Sequence, residues 1–190
     1  MPRPGLIVQA AHLVLIALLA FPALADLADP GPFAAGYRTV TITRPNNSTF
    51  TARFHYPAIA PGGQNAALQP STTTSGGYPA ISFGHGFLRA VTQYQSTCQH
   101  LATHGFLVIA SESEGSLSPS HANFAADLRH CLTWLEQQTA DPGSFLYQQV
   151  NTAAFGLSGH SMGAGCSLLA AAADPRLRCI ANTPAAEPTP

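Results

Sequence analysis

Two stretches near the start of the chain alternate apolar and polar positions with period two: Arg38-Thr39-Val40-Thr41-Ile42-Thr43 and Phe50-Thr51-Ala52-Arg53-Phe54-His55-Tyr56. Side chains that point to opposite faces in turn mark a half-buried strand. The segment between them, Arg44-Pro45-Asn46-Asn47-Ser48, is built from turn-tolerant residues and makes the two an antiparallel pair. The pattern then changes. Residues 78–83, 106–110, 153–157 and 177–181 are short, largely apolar runs, as expected of parallel strands covered on both faces.

Helical spacing lies between these runs. In residues 93–104 Tyr94, Cys98 and Leu101 fall on one side, and Gly105 follows where a left-handed cap is needed. In residues 124–138 Phe124, Leu128, Cys131, Leu132 and Leu135 recur at steps of three and four. A third helix-forming run covers residues 164–173. Residues 57–77 are polar and broken by Pro and Gly, which reads as a flexible loop. Residues 111–122 hold Glu112, Glu114, Ser116 and His121 and read as the rim of a site. Strand and helix in alternation predict one α/β domain: a mostly parallel sheet with right-handed crossovers and helices on both faces.

The chemistry concentrates at one junction. Gly159-His160-Ser161-Met162-Gly163 joins an apolar run to a helix-forming run, so it is a strand, a sharp turn and a helix. A serine on such a turn takes a strained backbone, and a Cβ at either glycine would collide with the neighbouring strand or helix. The start of the following helix turns N–H groups and a positive dipole end toward the same place, which favours a developing oxyanion. Ser161 is the candidate nucleophile, with Met162 N–H as one oxyanion donor. Upstream, Gly84-His85-Gly86-Phe87 follows the strand at 78–83, and Phe87 N–H is the candidate second donor. Phe87, His85 and His160 are the candidate pocket residues.

The N-terminus changes the cellular picture. An apolar run over residues 13–21 precedes Pro22-Ala23-Leu24-Ala25 and then Asp26. This is the pattern of a secretory signal peptide cleaved after Ala25, leaving a secreted domain over residues 26–190 with no stable membrane anchor. Of eight Lys plus Arg, all arginine, Arg3 lies in that leader, so seven cations face nine acids and the remaining chain carries a charge of −2. With no lysine and no clustered arginine, nucleic acid is not an expected partner. Four cysteines in an oxidising compartment allow one or two disulfides, with buried free thiols as the alternative. If the sheet is covered as the pattern implies, Cys131 and Cys166 lie on helices of the same face and form the first pair to test. No metal spacing emerges, and no cofactor is expected.

These motifs resemble the α/β-hydrolase superfamily, and within it the secreted cutinase-like polyester hydrolases and the chlorophyllase-type and dienelactone-hydrolase-type esterases. The resemblance rests on Gly31-Pro32-Phe33, Gly86-Phe87, the run from Leu101 through His104-Gly105-Phe106 to Val108, and the pentapeptide around Ser161. It implies a carboxylic-ester hydrolase working through an acyl-enzyme on Ser161, with small-molecule or polymeric esters as substrates; a monomer is the separate expectation for the chain. Phe87 would line the acyl pocket. Pro184-Ala185-Ala186 stands where the resemblance leads one to look for a substrate-clamping tryptophan, which counts against aromatic polyesters. The triad acid and histidine of the family would fall beyond Pro190, so the chain reads as the N-terminal part of such a domain, lacking its last strands and helices. His85, His121 and His160 are the internal candidates for a replacement base, and Glu187 for the acid. His100, His104 and His130 read as surface or packing residues, and Asp127 and Asp174 as helix-end or turn residues. An esterase-like binding module without turnover is the alternative function.

Overall fold

The computed structural model describes residues 26–72 and 76–185. The signal-peptide expectation and Glu187 lie outside them. Strands β1 (Ala34–Thr43) and β2 (Thr49–Ala58) form the expected antiparallel hairpin, in register from Ala34 opposite Ala58 to Thr43 opposite Thr49. The connecting turn places Asn47 at φ 66°, a left-handed conformation that asparagine tolerates. A two-residue strand β3 (Gly63–Gln64) pairs parallel with β1, so part of the expected flexible loop is instead tied to the sheet.

Next come β4 (Tyr78–Gly84), a 3₁₀ turn over Val91–Tyr94, α1 (Gln95–Thr103), β5 (Leu107–Ser111), α2 (His121–Ala140), β6 (Val150–Ser161), α3 (Met162–Ala172) and β7 (Leu177–Ala185). Among the described residues seven strands make one sheet in the order β3-β1-β2-β5-β4-β6-β7. The segment β5-β4-β6-β7 is parallel, and β2 joins it antiparallel to β5. The strand–helix alternation read from sequence therefore yields the expected mostly parallel sheet, with β4 lying between β5 and β6, and the architecture is that of an α/β-hydrolase.

Caps explain the helix ends. Gly105 sits at φ 89° immediately after the His104 cap of α1, as its position predicted. Helix α2 begins at His121, three residues earlier than its apolar spacing indicates, because Ser120 Oγ accepts from Asn123 N at 3.2 Å and fixes the start. His121 thus belongs to a helix start and not to a loop. Asp127, read as a helix-end or turn residue, lies within α2 and is buried. Its two carboxylate oxygens accept from Arg44 Nε and Nη2, each at 2.7 Å, which ties the β1–β2 turn to α2. Asp174 is the turn residue expected, and Arg176 beside it holds its carboxyl below the usual carboxylate range.

The main core lies between the sheet and α2. Phe54, Tyr56, Phe124, Leu128, Leu132, Leu135 and Phe155 are fully buried there. A smaller cluster of Phe83, Val91, Cys98, Val108 and Ala110 packs on the α1 side. The Cys131–Cys166 disulfide is not formed: all four cysteines are free thiols, with Cys98, Cys131 and Cys166 buried and Cys179 exposed. Cys131 is a packing residue whose thiol meets Ser82, and burial pushes it well above the usual thiol range. An even cysteine count supplied the number of possible pairs but not their geometry. No helix among the described residues is long and apolar enough to cross a membrane.

Candidate active site

The carboxyl ends of β4, β6 and β7 meet around Ser161. Ser161 has φ 52° and ψ −118°, far from both the helical and the extended regions. A non-glycine residue held there costs about 1–3 kcal/mol, and persists only where its surroundings leave no alternative. The surroundings here are backbone. Gly84, Gly159 and Gly163 touch across the junction of β4, β6 and α3 with no side chain between them. A Cβ on Gly159 would lie 2.6 Å from the Gly163 carbonyl carbon, one on Gly84 would lie 2.8 Å from Gly163 Cα, and one on Gly163 would overlap the Gly84 backbone. The expected collisions are present, and they involve a third glycine. Helix α3 thereby starts directly against the end of β4, which brings the loop after β4 beside the loop that carries Ser161.

That neighbouring loop is a tight turn. Arg89 N donates to Gly86 O at 3.0 Å, and Leu88 takes the left-handed φ of 53° that such a turn normally gives to glycine. Phe87 and Leu88 are left 47% and 50% exposed, so two large apolar side chains stand in solvent beside Ser161's loop. Phe87 N–H has no hydrogen-bond partner among the described residues. Met162 is the first residue of α3, where a helix leaves its N–H groups without intrahelical acceptors. A cleft of about 370 Å³ opens beside the turn, lined by His85, Leu88, Arg89, Val91 and Glu112 among others.

The histidines separate clearly. His85 is fully buried, stacked on Phe124 at 4.7 Å, with Nδ1 against Gly86 O and Nε2 against Ser113 O, both at 2.8 Å. Both ring nitrogens are committed to backbone carbonyls, so His85 braces the loop while lining the cleft, and neither nitrogen is left to act as a base. His160 Nδ1 lies 2.9 Å from Tyr94 Oη, and the same hydroxyl accepts from Gly86 N at 3.0 Å. His100 and His104 meet Leu27 O and Asp29 O, which fastens residues 27–29 to α1. His130 lies on α2 beside the Arg44–Asp127 pair, and burial lowers its pKa. Ser161 Oγ has no hydrogen-bond partner among the described residues. None of the described histidines is therefore bonded to it.

Two features escaped the sequence reading. Tyr94 was assigned to a packing face, and nothing local marks its bond to a residue 66 positions away. Strand β7 runs on past the 177–181 run to Ala185, which pairs opposite Ser161.

The family model for PETase, a PET hydrolase-like family, matches residues 27–188. The chain belongs to this PET hydrolase-like family. It is also similar to Chlorophyllase-2 of Arabidopsis thaliana, at 28% identity over 106 residues, which cover 55% of this chain and 32% of that relative. The matched region thus spans about a third of the length of Chlorophyllase-2. Within the PET hydrolase-like fold, Gly159 to Gly163 form the strand-to-helix turn and Gly84 to Leu88 the loop facing it.

Proposed function

We propose that this chain carries the nucleophile and oxyanion donors of a secreted serine hydrolase that cleaves carboxylic esters. Ser161 Oγ attacks the ester carbonyl carbon, and the carbonyl π electrons move onto oxygen. The N–H groups of Phe87 and Met162 receive that oxyanion. Its collapse breaks the ester C–O bond, the leaving oxygen takes up the proton that came from Ser161 and departs as the alcohol, and the acyl group stays on Ser161 until water releases the acid by the same two steps. The proton of Ser161 has to pass to a base. His85 has both nitrogens engaged and His160 its Nδ1, and no described histidine is hydrogen-bonded to Ser161 Oγ, so the residue that takes this proton is the part of the site still to be identified. Family membership supports ester hydrolysis. The observation that carries the assignment to Ser161 is its forced backbone directly before α3's first turn, with the turn after β4 packed alongside. The exposed Phe87 and Leu88 favour an apolar acyl or alcohol group.

The test is p-nitrophenyl ester hydrolysis and fluorophosphonate labelling of the chain beside Ser161→Ala. Labelling that disappears in the variant supports the nucleophile. Hydrolysis that survives in Ser161→Ala would falsify it. Binding of an acyl ligand with neither turnover nor labelling would favour the non-catalytic binding module.

A further inference from the structure

Three groups from separate elements meet at one hydroxyl. Gly86 N lies 3.0 Å from Tyr94 Oη, and Tyr94 Oη lies 2.9 Å from His160 Nδ1. Gly86 sits in the turn after β4, Tyr94 at the end of the 3₁₀ turn before α1, and His160 directly before Ser161. The direction of each bond follows from what each group can do. A backbone N–H only donates, so the tyrosine oxygen is the acceptor from Gly86. The hydroxyl keeps one proton to give, and the acceptor within reach is His160 Nδ1. That assignment leaves the His160 proton on Nε2.

We propose that Tyr94 is a positioning residue that ties the oxyanion turn to the nucleophile loop and locks His160 as its Nε2–H tautomer. The turn needs such a tie. Gly86 allows it, because a Cβ there would lie 2.8 Å from His160 Nδ1 and 3.0 Å from Tyr94 Oη, and would push the three groups apart. Leu88 is held left-handed in the same turn, so the turn stores strain that would otherwise relax and swing the Phe87 amide. The Tyr94 ring is itself fixed by Phe83 at 5.2 Å and His160 at 5.7 Å. His85 holds the other side of the turn through Gly86 O. Gly86 is thus pinned by its N–H to Tyr94 and by its carbonyl to His85, and Phe87 N–H follows from a fixed peptide. His160, the residue directly before Ser161, has its Nδ1 spent on Tyr94 and keeps its proton on Nε2.

For catalysis this inference rests on Ser161 being the nucleophile, but its test does not. Long-range ¹H–¹⁵N spectra of the histidine-labelled chain at about pH 8, where a free imidazole is neutral, read the tautomer directly. The His160 signals are identified by their loss in His160→Gln. The expected result is His160 protonated on Nε2 with Nδ1 bare. Tyr94→Phe keeps the ring contacts and removes the hydroxyl. It should still unfold cooperatively, lose the fixed tautomer, and exchange the Gly86 amide proton about 10-fold faster. In an active preparation it should lower kcat by a similar factor with KM unchanged. A His160 carrying its proton on Nδ1 overturns the proposal, as does unchanged Gly86 exchange in a folded Tyr94→Phe protein. Should Tyr94→Phe fail to fold, the tautomer in the unsubstituted chain decides alone. Ser161→Ala separates the two readings: it removes labelling if Ser161 is the nucleophile, while His160 and Gly86 keep their signatures.

Discussion

The two ends of this sheet are built in opposite ways. Under β1, β2 and α2 the chain packs its largest side chains: Phe54 stacks on Tyr56 at 5.2 Å and meets Trp134 and Phe145 edge-on at 5.8 and 6.1 Å. At the carboxyl ends of β4 and β6, three glycines bring backbone against backbone and no side chain intervenes. The aromatic end holds the domain together through buried area, and a side chain there can shift without changing what it contributes. The glycine end buries little, yet it determines where Ser161 and the Phe87 amide stand. Stability and positional accuracy are supplied by different regions, and they should fail separately.

The largest expected effect is at the aromatic end. Phe54→Ala removes a fully buried ring and should cost about 4 kcal/mol in denaturant unfolding. Amide shifts from Gly84 to Leu88 and from Ser161 to Ala164 should stay in place well below the transition. If those shifts move as much as the stability falls, the two regions are coupled and the division drawn above is wrong. Gly163→Ala reverses the emphasis. The added methyl meets the Gly84 backbone, which has no side chain to swing aside, so at least about 3 kcal/mol is expected. Here the same amide shifts should change throughout the site, and labelling at Ser161 should disappear even where the variant is folded.

A pH titration gives the β2 region a separate signature. His55 is buried on β2, on the opposite face from Phe54, and burial, with the Arg53 charge adding to it, lowers its pKa from 6.5 to about 4. The native state therefore holds His55 neutral while the unfolded chain protonates it below its ordinary pKa. Stability from this residue is complete above about pH 6.5 and is lost as pH falls toward 4, by up to about 3 kcal/mol. In His55→Gln that slope between pH 6.5 and 4 should flatten. An unchanged slope would place the acid sensitivity elsewhere.

The fold was legible wherever one residue type dictated geometry. Alternation gave the hairpin, continuous apolar runs gave the parallel strands, Gly105 gave the end of α1, and the pentapeptide gave the strand-to-helix turn at Ser161. What could not be read were relations set by distance in space. The Arg44–Asp127 pair joins residues 83 positions apart, and Tyr94 meets His160 across 66, so neither leaves a local pattern. The small strand β3 escaped because two residues show no periodicity. Its place follows from the left-handed turn at Gly62 and Gly63, φ 79° and 98°. Cys131 and Cys166 misled because burial, which keeps a thiol free, and proximity, which pairs it, produce the same helical spacing.

The smallest effect reaches the glycine end most directly. Ser161, like Leu88 in the facing turn, carries a Cβ in a conformation that suits glycine, at φ 52° and ψ −118°. Ser161→Gly removes that conflict, whereas Ser161→Ala retains it. The glycine variant should therefore be more stable than the alanine variant by about 1 kcal/mol, after allowance for the extra backbone freedom glycine brings to the unfolded chain. Both should lose fluorophosphonate labelling. Equal stability of the two variants would mean that the backbone at Ser161 relaxes once the hydroxyl is gone. The glycine contacts would then not be what holds Ser161 in place, and the Tyr94 hydroxyl, acting through His160, would be left as the restraint that does.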